Sequence, residues 1–280
     1  RSLCDWSSDV CSSDLSASIG IWKYYKKIVP DFSGMFLVPG DLPTTRQSAV
    51  PQVVASEKAG VKWAELVGVS GLLAQPGYDK FIQEAKALGV NVIHNGSNDD
   101  AMIKMRKESK AQGFGSQIDL WSCTLACYTN NFLVAGGDAV EGTYVWLPFL
   151  PYEEADLNAD AKAYLDGVGG AAKATSWGAQ AFQAGQALAK AVDGIMAKGG
   201  PNAVTRASII AALRDLGNFD SNGWMGVKTL RGNSACFVVV KVQGGKFVRV
   251  LPAERGKFEC DESGMIDIMV DPVAGAKEIK

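Results

Sequence analysis

The chain has 280 residues, 47% of them hydrophobic, enough for one large or two modest domains. A net charge of −2 argues against a broad nucleic-acid footprint, and no apolar run approaches the length of a membrane span. His94 is the single histidine, which excludes multi-histidine metal sites and any triad that needs a second acid–base histidine.

Residues 1–15, RSLCDWSSDVCSSDL, carry neither a helical nor a strand period. The end of this segment reads as a translated short-read sequencing adapter. It is therefore set apart from the fold as an artefact, together with Cys4 and Cys11. On that reading the true gene begins further upstream, and the chain is a fragment lacking its amino-terminal part. Over 19–29, Ile21, Trp22, Tyr25, Ile28 and Val29 fall near helical spacing among lysines, and Pro30 stops the helix. Residues 35–38 read as a buried strand. The turn from Pro39 leads to a helix near 45–59, with Thr44 or Thr45 as its cap; Pro51 either kinks it or makes it start late. Residues 62–69 alternate as a strand, and 78–88 show the helical period.

The stretch from Val90 to Phe149 organises the chain. An apolar run (Val90, Val92, Ile93) meets an Asn-Gly-Ser-Asn turn, then a helix carrying Met102, Ile103 and Met105. A second run (Ile118, Leu120, Trp121) meets another polar turn, a short helix, Gly136-Gly137 and a strand over 143–147. Strands alternating with helices imply an α/β fold with a parallel sheet covered on both faces. In such sheets ligands sit beyond the carboxyl ends of the strands. Those ends carry Ser97, Asn98, Ser122 and Thr124, hydroxyls and amides with no evident catalytic group.

After Phe149, residues 150–154 read as a crossing to another lobe, followed by a short helix over 155–165. Thr175 or Ser176 caps a long helix to Lys198, with Trp177, Ala181, Phe182, Leu188, Ala191, Val192 and Ile195 as its stripe. A further helix covers 204–216. Residues 219–230 are turn-rich, and 236–242 with 246–251 form a hairpin around Gln243-Gly244-Gly245. The tail after Cys260 is polar and is expected to be ordered only in part.

In order and spacing these segments resemble one family, the branched-chain amino-acid type substrate-binding proteins of ABC importers, with the type I periplasmic-binding fold. Gly137-Asp138-Ala139-Val140-Glu141-Gly142 before the strand at Thr143 is similar to the family's GDAAEG. Phe81 to Lys86 with the strand at Val90, Ser176 to Ala181 at the start of the long helix, and the hairpin from Phe237 to Val250 match further segments. The resemblance spans roughly Ser16 to Cys260. It implies two α/β lobes that close on a ligand like a hinged clamp, the first lobe incomplete here. Residues 16–150 are then lobe two, 151–225 the helical remainder of lobe one, 226–260 the return to lobe two, and 261–280 a tail.

The resemblance also implies function. The complete protein is expected to be exported, lipid-anchored and monomeric. It captures a small polar solute such as an amino acid, amide or carboxylate, and presents it to ABC permease subunits in the membrane. No enzymatic chemistry, cofactor, metal or nucleic-acid partner is expected. Carried over by position, the ligand contacts are Thr44, Thr45, Ser97, Asn98, Trp121 and Ser122. Trp177 either lines the cleft or packs against the absent sheet. Helix caps would use the same residue types at these turns. Leucine-type relatives hold the substrate ammonium with a tyrosine and a carboxylate, where this chain has Thr44-Thr45 and Ser122-Cys123-Thr124. The resemblance therefore does not carry over that ammonium-binding pair. An exported protein pairs the remaining cysteines as Cys123–Cys127 and Cys236–Cys260. Free thiols and a four-thiolate zinc site are the alternatives, the latter a poor match to a Cys-x3-Cys spacing with no second close pair. Two other classes stay open: a ligand-sensing receptor domain of the same fold, and an α/β enzyme, although G-x-S-x-G, Walker and G-x-G-x-x-G motifs are all absent.

Overall fold

The computed structural model describes residues 16–40, 43–226 and 233–279. The adapter-like segment lies outside them. β1 (Ser16–Ser18) leads into α1 (Gly20–Ile28), which buries Ile21, Trp22 and Tyr25 on one face. β2 (Gly34–Pro39) is buried along nearly all its length, as a central parallel strand should be. The helix expected over 45–59 divides into α2 (Pro43–Gln47) and α3 (Val50–Lys58). Pro51 stands in the first turn of α3, where its missing N–H leaves no bond unmade, so it starts a second helix.

β3 (Trp63–Val69), α4 (Asp79–Ala87) and β4 (Val92–Asn95) follow near their expected places. α5 (Asp99–Ala111) is capped by the Asn98 side chain, which accepts the Ala101 N–H at 2.9 Å. β5 (Leu120–Cys123), α6 (Asn130–Gly136) and β6 (Tyr144–Leu147) complete the central stretch. Beyond it come α7 (Ala159–Val168), α8 (Ser176–Gly199, capped by Thr175) and α9 (Arg206–Asp215, capped by Thr205). The chain returns through β7 (Cys236–Gln243) and β8 (Lys246–Leu251), joined by Gly244 and Gly245 at φ 58° and 71°, the left-handed pair a two-residue hairpin turn requires.

Sheet order is β3-β2-β4-β5-β6-β7-β8. Neighbours from β3 to β6 are parallel, whereas β7 runs antiparallel to both β6 and β8. The sheet is therefore mixed, not wholly parallel: β7 runs against β3–β6, and the hairpin turn brings β8 back into their direction. Side chains alternate between its two faces. Phe36, His94, Ser122 and Tyr144 are register partners in one row across the sheet. On their side Val92 and Leu120 pack with Trp22 and Tyr25 of α1. On the other side Ile93, Trp121 and Val145 pack with Ile82, Met102 and Phe132, and this core runs on into Tyr164, Ala179 and Trp224 of the segment after β6.

The residues after Cys260 are more ordered than their polarity suggests. β9 (Glu259–Cys260) pairs with β7, β10 (Met265–Asp267) pairs antiparallel with β1, and α10 (Pro272–Gly275) follows. Ile268 and Ile279 are buried, apolar anchors that hold this segment down. Both disulfides form, Cys123–Cys127 at 1.98 Å and Cys236–Cys260 at 2.09 Å. The second closes a sequence separation of 24. Replacing Cys236 and Cys260 together by alanine is expected to cost about 3 kcal/mol in the loop-entropy account, read from urea melts; an unmoved midpoint contradicts it.

α8 departs from its expected stripe. Ser176, Ala179, Gln183 and Ala191 are buried, while Trp177 is 64% and Leu188 45% exposed. No described element covers that outer face. No described helix is long and apolar enough to cross a membrane.

Candidate functional site

A hollow of about 290 Å³ opens between the sheet's strand ends and α8. α1 supplies Ile21 and Trp22, the joint of α2 and α3 supplies Ser48 and Gln52, and α8 supplies Gln180 and Gln183. Leu125 follows β5, Trp146 and Pro148 close β6, and Cys236 and Phe237 open β7.

Local bonds hold these walls in place. Ser176 at the start of α8 donates its hydroxyl to Leu125 O at 2.5 Å, which ties the helix to the turn after β5. Gly226 N–H donates to Pro148 O at 2.8 Å, and Leu150 N–H to Trp224 O at 2.9 Å, joining the end of β6 to the returning chain. The Cys236–Cys260 bridge secures the last wall.

Three lining residues carry a buried polar atom with no hydrogen-bond partner: Gln52 Oε1, Trp146 Nε1 and Gln183 Nε2. Each of these atoms has almost no accessible surface, so they lie behind the wall of the hollow and not on its face. Among the described residues, no charged side chain lines it. Nor do described His, Cys, Asp or Glu side chains gather in threes that would hold a metal.

The residues expected as ligand contacts are distributed differently. None of Thr45, Ser97, Asn98, Trp121, Ser122 and Trp177 is among the described lining. Trp121 and Ser122 are consecutive in β5 and so face opposite sides of the sheet. Trp121 is buried under Arg106, whose guanidinium lies 4.5 Å from the ring centre; burial draws that guanidinium's pKa down to about 10. Ser122 is fully buried and meets His94 Nδ1 at 2.9 Å. Ser97 is buried, with its N–H bonded to Asn95 Oδ1 at 3.2 Å, and Asn98 serves as the α5 cap. Thr45 donates to Pro39 O at 3.3 Å. The Thr44 side chain lies outside the described residues. Trp177 stands one helical turn before Gln180, so the two share a face of α8.

His94 packs behind Trp22, one wall of the hollow. It is fully buried, 4.8 Å from the rings of both Trp22 and Phe36, and desolvation pushes its pKa down to about 3. Its imidazole is therefore a neutral packing group behind Trp22. A base with a depressed folded pKa stabilises the fold fully above its unfolded value near 6.5, and that stability is lost as pH falls toward 3. Stability is expected to fall by up to about 1.4 kcal/mol per pH unit between pH 6 and 4 from this group. His94→Phe should flatten that part of a urea-midpoint profile against pH; an unchanged slope contradicts the assignment.

Sequence reasoning missed Gln52, Trp146 and Gln183 because it searched turns after strands. The available signal was an amide at Gln183, inside a helix whose neighbouring stripe positions are apolar.

A mixed sheet flanked by helices, with a second helical unit facing its strand ends across a hollow, defines a type I periplasmic-binding-protein-like α/β fold. The chain belongs to the periplasmic binding protein family, whose family model matches residues 30–246. No curated protein matches it in sequence. Among solved structures, a branched-chain amino-acid ABC transporter protein from Thermus thermophilus with bound valine is similar at 13% identity and TM-score 0.69, over 87% of this chain and 64% of that one. The leucine-binding protein LivK of Thermotoga maritima aligns at 14% identity and TM-score 0.66, over 83% and 63%. A Rhodopseudomonas palustris ABC solute-binding protein in complex with benzoate aligns at 17% identity and TM-score 0.64, over 87% and 64%. The chain thus spans somewhat under two thirds of the length of these relatives.

Proposed function

We propose that this chain is part of an extracytoplasmic solute-binding protein of an ABC importer, and that the hollow between the sheet and α8 is its capture site. The observation that carries this reading is the hollow itself, about 290 Å³ at the strand ends, with the amide side chains of Gln52, Gln180 and Gln183 in its wall. Structural relatives described with valine or benzoate bound support a small organic solute. The work is reversible: the lobes close on the solute, the closed form is what the permease subunits recognise, and no bond is made or broken. A lipid anchor and a monomeric state belong to this reading, and nucleic acid has no part in it.

The exposed Trp177 and Leu188 of α8 fit the same account. In a longer protein of the relatives' size, further first-lobe chain packs on that face and completes the cleft. Thr45, Ser97 and Asn98, at the ends of β2 and β4, then belong to the cleft's outer rim. A thermal-shift screen of amino acids, amides and carboxylates tests the reading. A true solute at a hundred times its Kd is expected to add about 2.7 kcal/mol of stability, a rise of a few degrees. If none of them raises the melting temperature, solute capture is contradicted.

A further inference from the structure

The dipeptide Asn-Gly occurs at Asn95-Gly96 and at Asn222-Gly223, and the fold treats the two in opposite ways. In this pair a backbone nitrogen reaches the preceding side-chain amide carbon with little hindrance, because the glycine has no Cβ to block the approach. At the first pair both reacting groups are tied up. Asn95 is fully buried, its Nδ2 donates to Asn98 O at 2.9 Å, and Gly96 N–H donates to Leu37 O at 2.9 Å. A Cβ on Gly96 would lie 2.6 Å from the Phe36 ring, so the backbone there has no room to turn.

At the second pair the attacking nitrogen is free. Ser221, Asn222 and Gly223 follow one another at φ 50°, 54° and 84°, a left-handed turn. Asn222 and Gly223 are exposed. No atom beyond its chain neighbours lies within 4 Å of where a Gly223 Cβ would stand, and Gly223 N–H has no acceptor among the described residues. We propose that Asn222 is a site of spontaneous deamidation in the folded protein, and that the change loosens one wall of the hollow. Gly223 N gives up its proton and bonds to Asn222 Cγ. The Cγ–Nδ2 bond breaks, and ammonia leaves with that proton. Water then opens the cyclic imide to aspartate or isoaspartate.

The loosening follows from what Asn222 holds. Its Nδ2 donates to Asp160 Oδ2 of α7 at 2.7 Å, and Asn158 Nδ2 donates to Asn222 O at 3.0 Å. A carboxylate at 222 removes that donor and sets a like charge against Asp160. Isoaspartate also lengthens the main chain, just before the buried Trp224 and Met225. Met225 and Gly226 line the hollow. None of this depends on the solute-capture reading.

Ageing the whole chain in heavy-oxygen water at mildly alkaline pH, followed by peptide mapping in a mass spectrometer, reads the chemistry. The Asn222 peptide is expected to take up heavy oxygen at least about tenfold faster than the Asn95 peptide, which reacts only through local opening. In urea the two should react at similar rates. Equal rates in the folded chain, or an Asn222 peptide that reacts only in urea, overturns the site. The deamidated fraction, separated by anion exchange, should melt a few degrees below its unmodified remainder, as should Asn222→Asp. Asn222→Gly keeps the left-handed turn and has no amide to lose, so its melting temperature should not fall on ageing. A deamidated fraction that melts with the parent overturns the loosening.

Discussion

Glu154→Ala is expected to lower the stability of the chain by about 3–5 kcal/mol, because it leaves a buried guanidinium without its partner. Glu154 lies in the crossing segment after Pro151 and meets Arg249 of β8 through two bonds, Arg249 Nε to Oε1 at 2.5 Å and Nη2 to Oε2 at 2.6 Å. Gly256 N–H adds a third to Oε2 at 2.8 Å. The two side chains are 4% and 8% exposed, so water can replace neither. The pair fastens the segment between β6 and α7 to the hairpin. The effect comes from the orphaned charge and not from the worth of the pair. The double replacement Glu154→Leu with Arg249→Met should therefore recover most of the loss. Urea melts of the two variants decide it: a single variant within 1 kcal/mol of the parent, or a double variant no better than the single, contradicts this account.

Trp224→Ala should be comparably severe, costing about 3–5 kcal/mol. Trp224 is fully buried and its ring packs against Phe149, Tyr164 and Phe182, at 6.1, 5.5 and 6.0 Å between ring centres. Its Nε1–H donates to Leu150 O at 3.1 Å. These contacts join the sheet's end to α7 and α8 in one core. Trp224→Phe keeps most of the ring contact and loses the bond, so it should cost markedly less than alanine. Equal losses for the two would move the weight from packing to the hydrogen bond.

Much of this architecture is legible in the sequence where a local signal is strong. The cap at Thr175 or Ser176, the hairpin around Gln243-Gly244-Gly245 and the apolar runs at Val92 and Leu120 each state their element directly. Pro51 is read correctly only once position is known, since the same residue kinks a helix or begins one. The ordered segment after Cys260 is hidden because Ile268 and Ile279 are single apolar residues in a polar context; their anchoring depends on surfaces assembled from distant parts of the chain.

The site is less legible than the fold for a related reason. Hydroxyls and amides after strands serve as helix caps as readily as ligand contacts, and Asn98 does the former. Ser122 reads as a strand-end hydroxyl, yet the register sets it beside His94 inside the core. Gln52, Trp146 and Gln183 come from three separate elements. Only the packing of α8 against the turn after β5 brings them to one hollow.

Native mass spectrometry of the chain with a mixed library of neutral amides, carboxylates and amino acids tests capture without chemistry most directly. The account predicts a one-to-one complex at the summed mass of chain and one added solute, with that solute recovered unaltered after denaturation. A library that leaves the chain's mass unchanged, or a recovered molecule that differs from every one supplied, would contradict it.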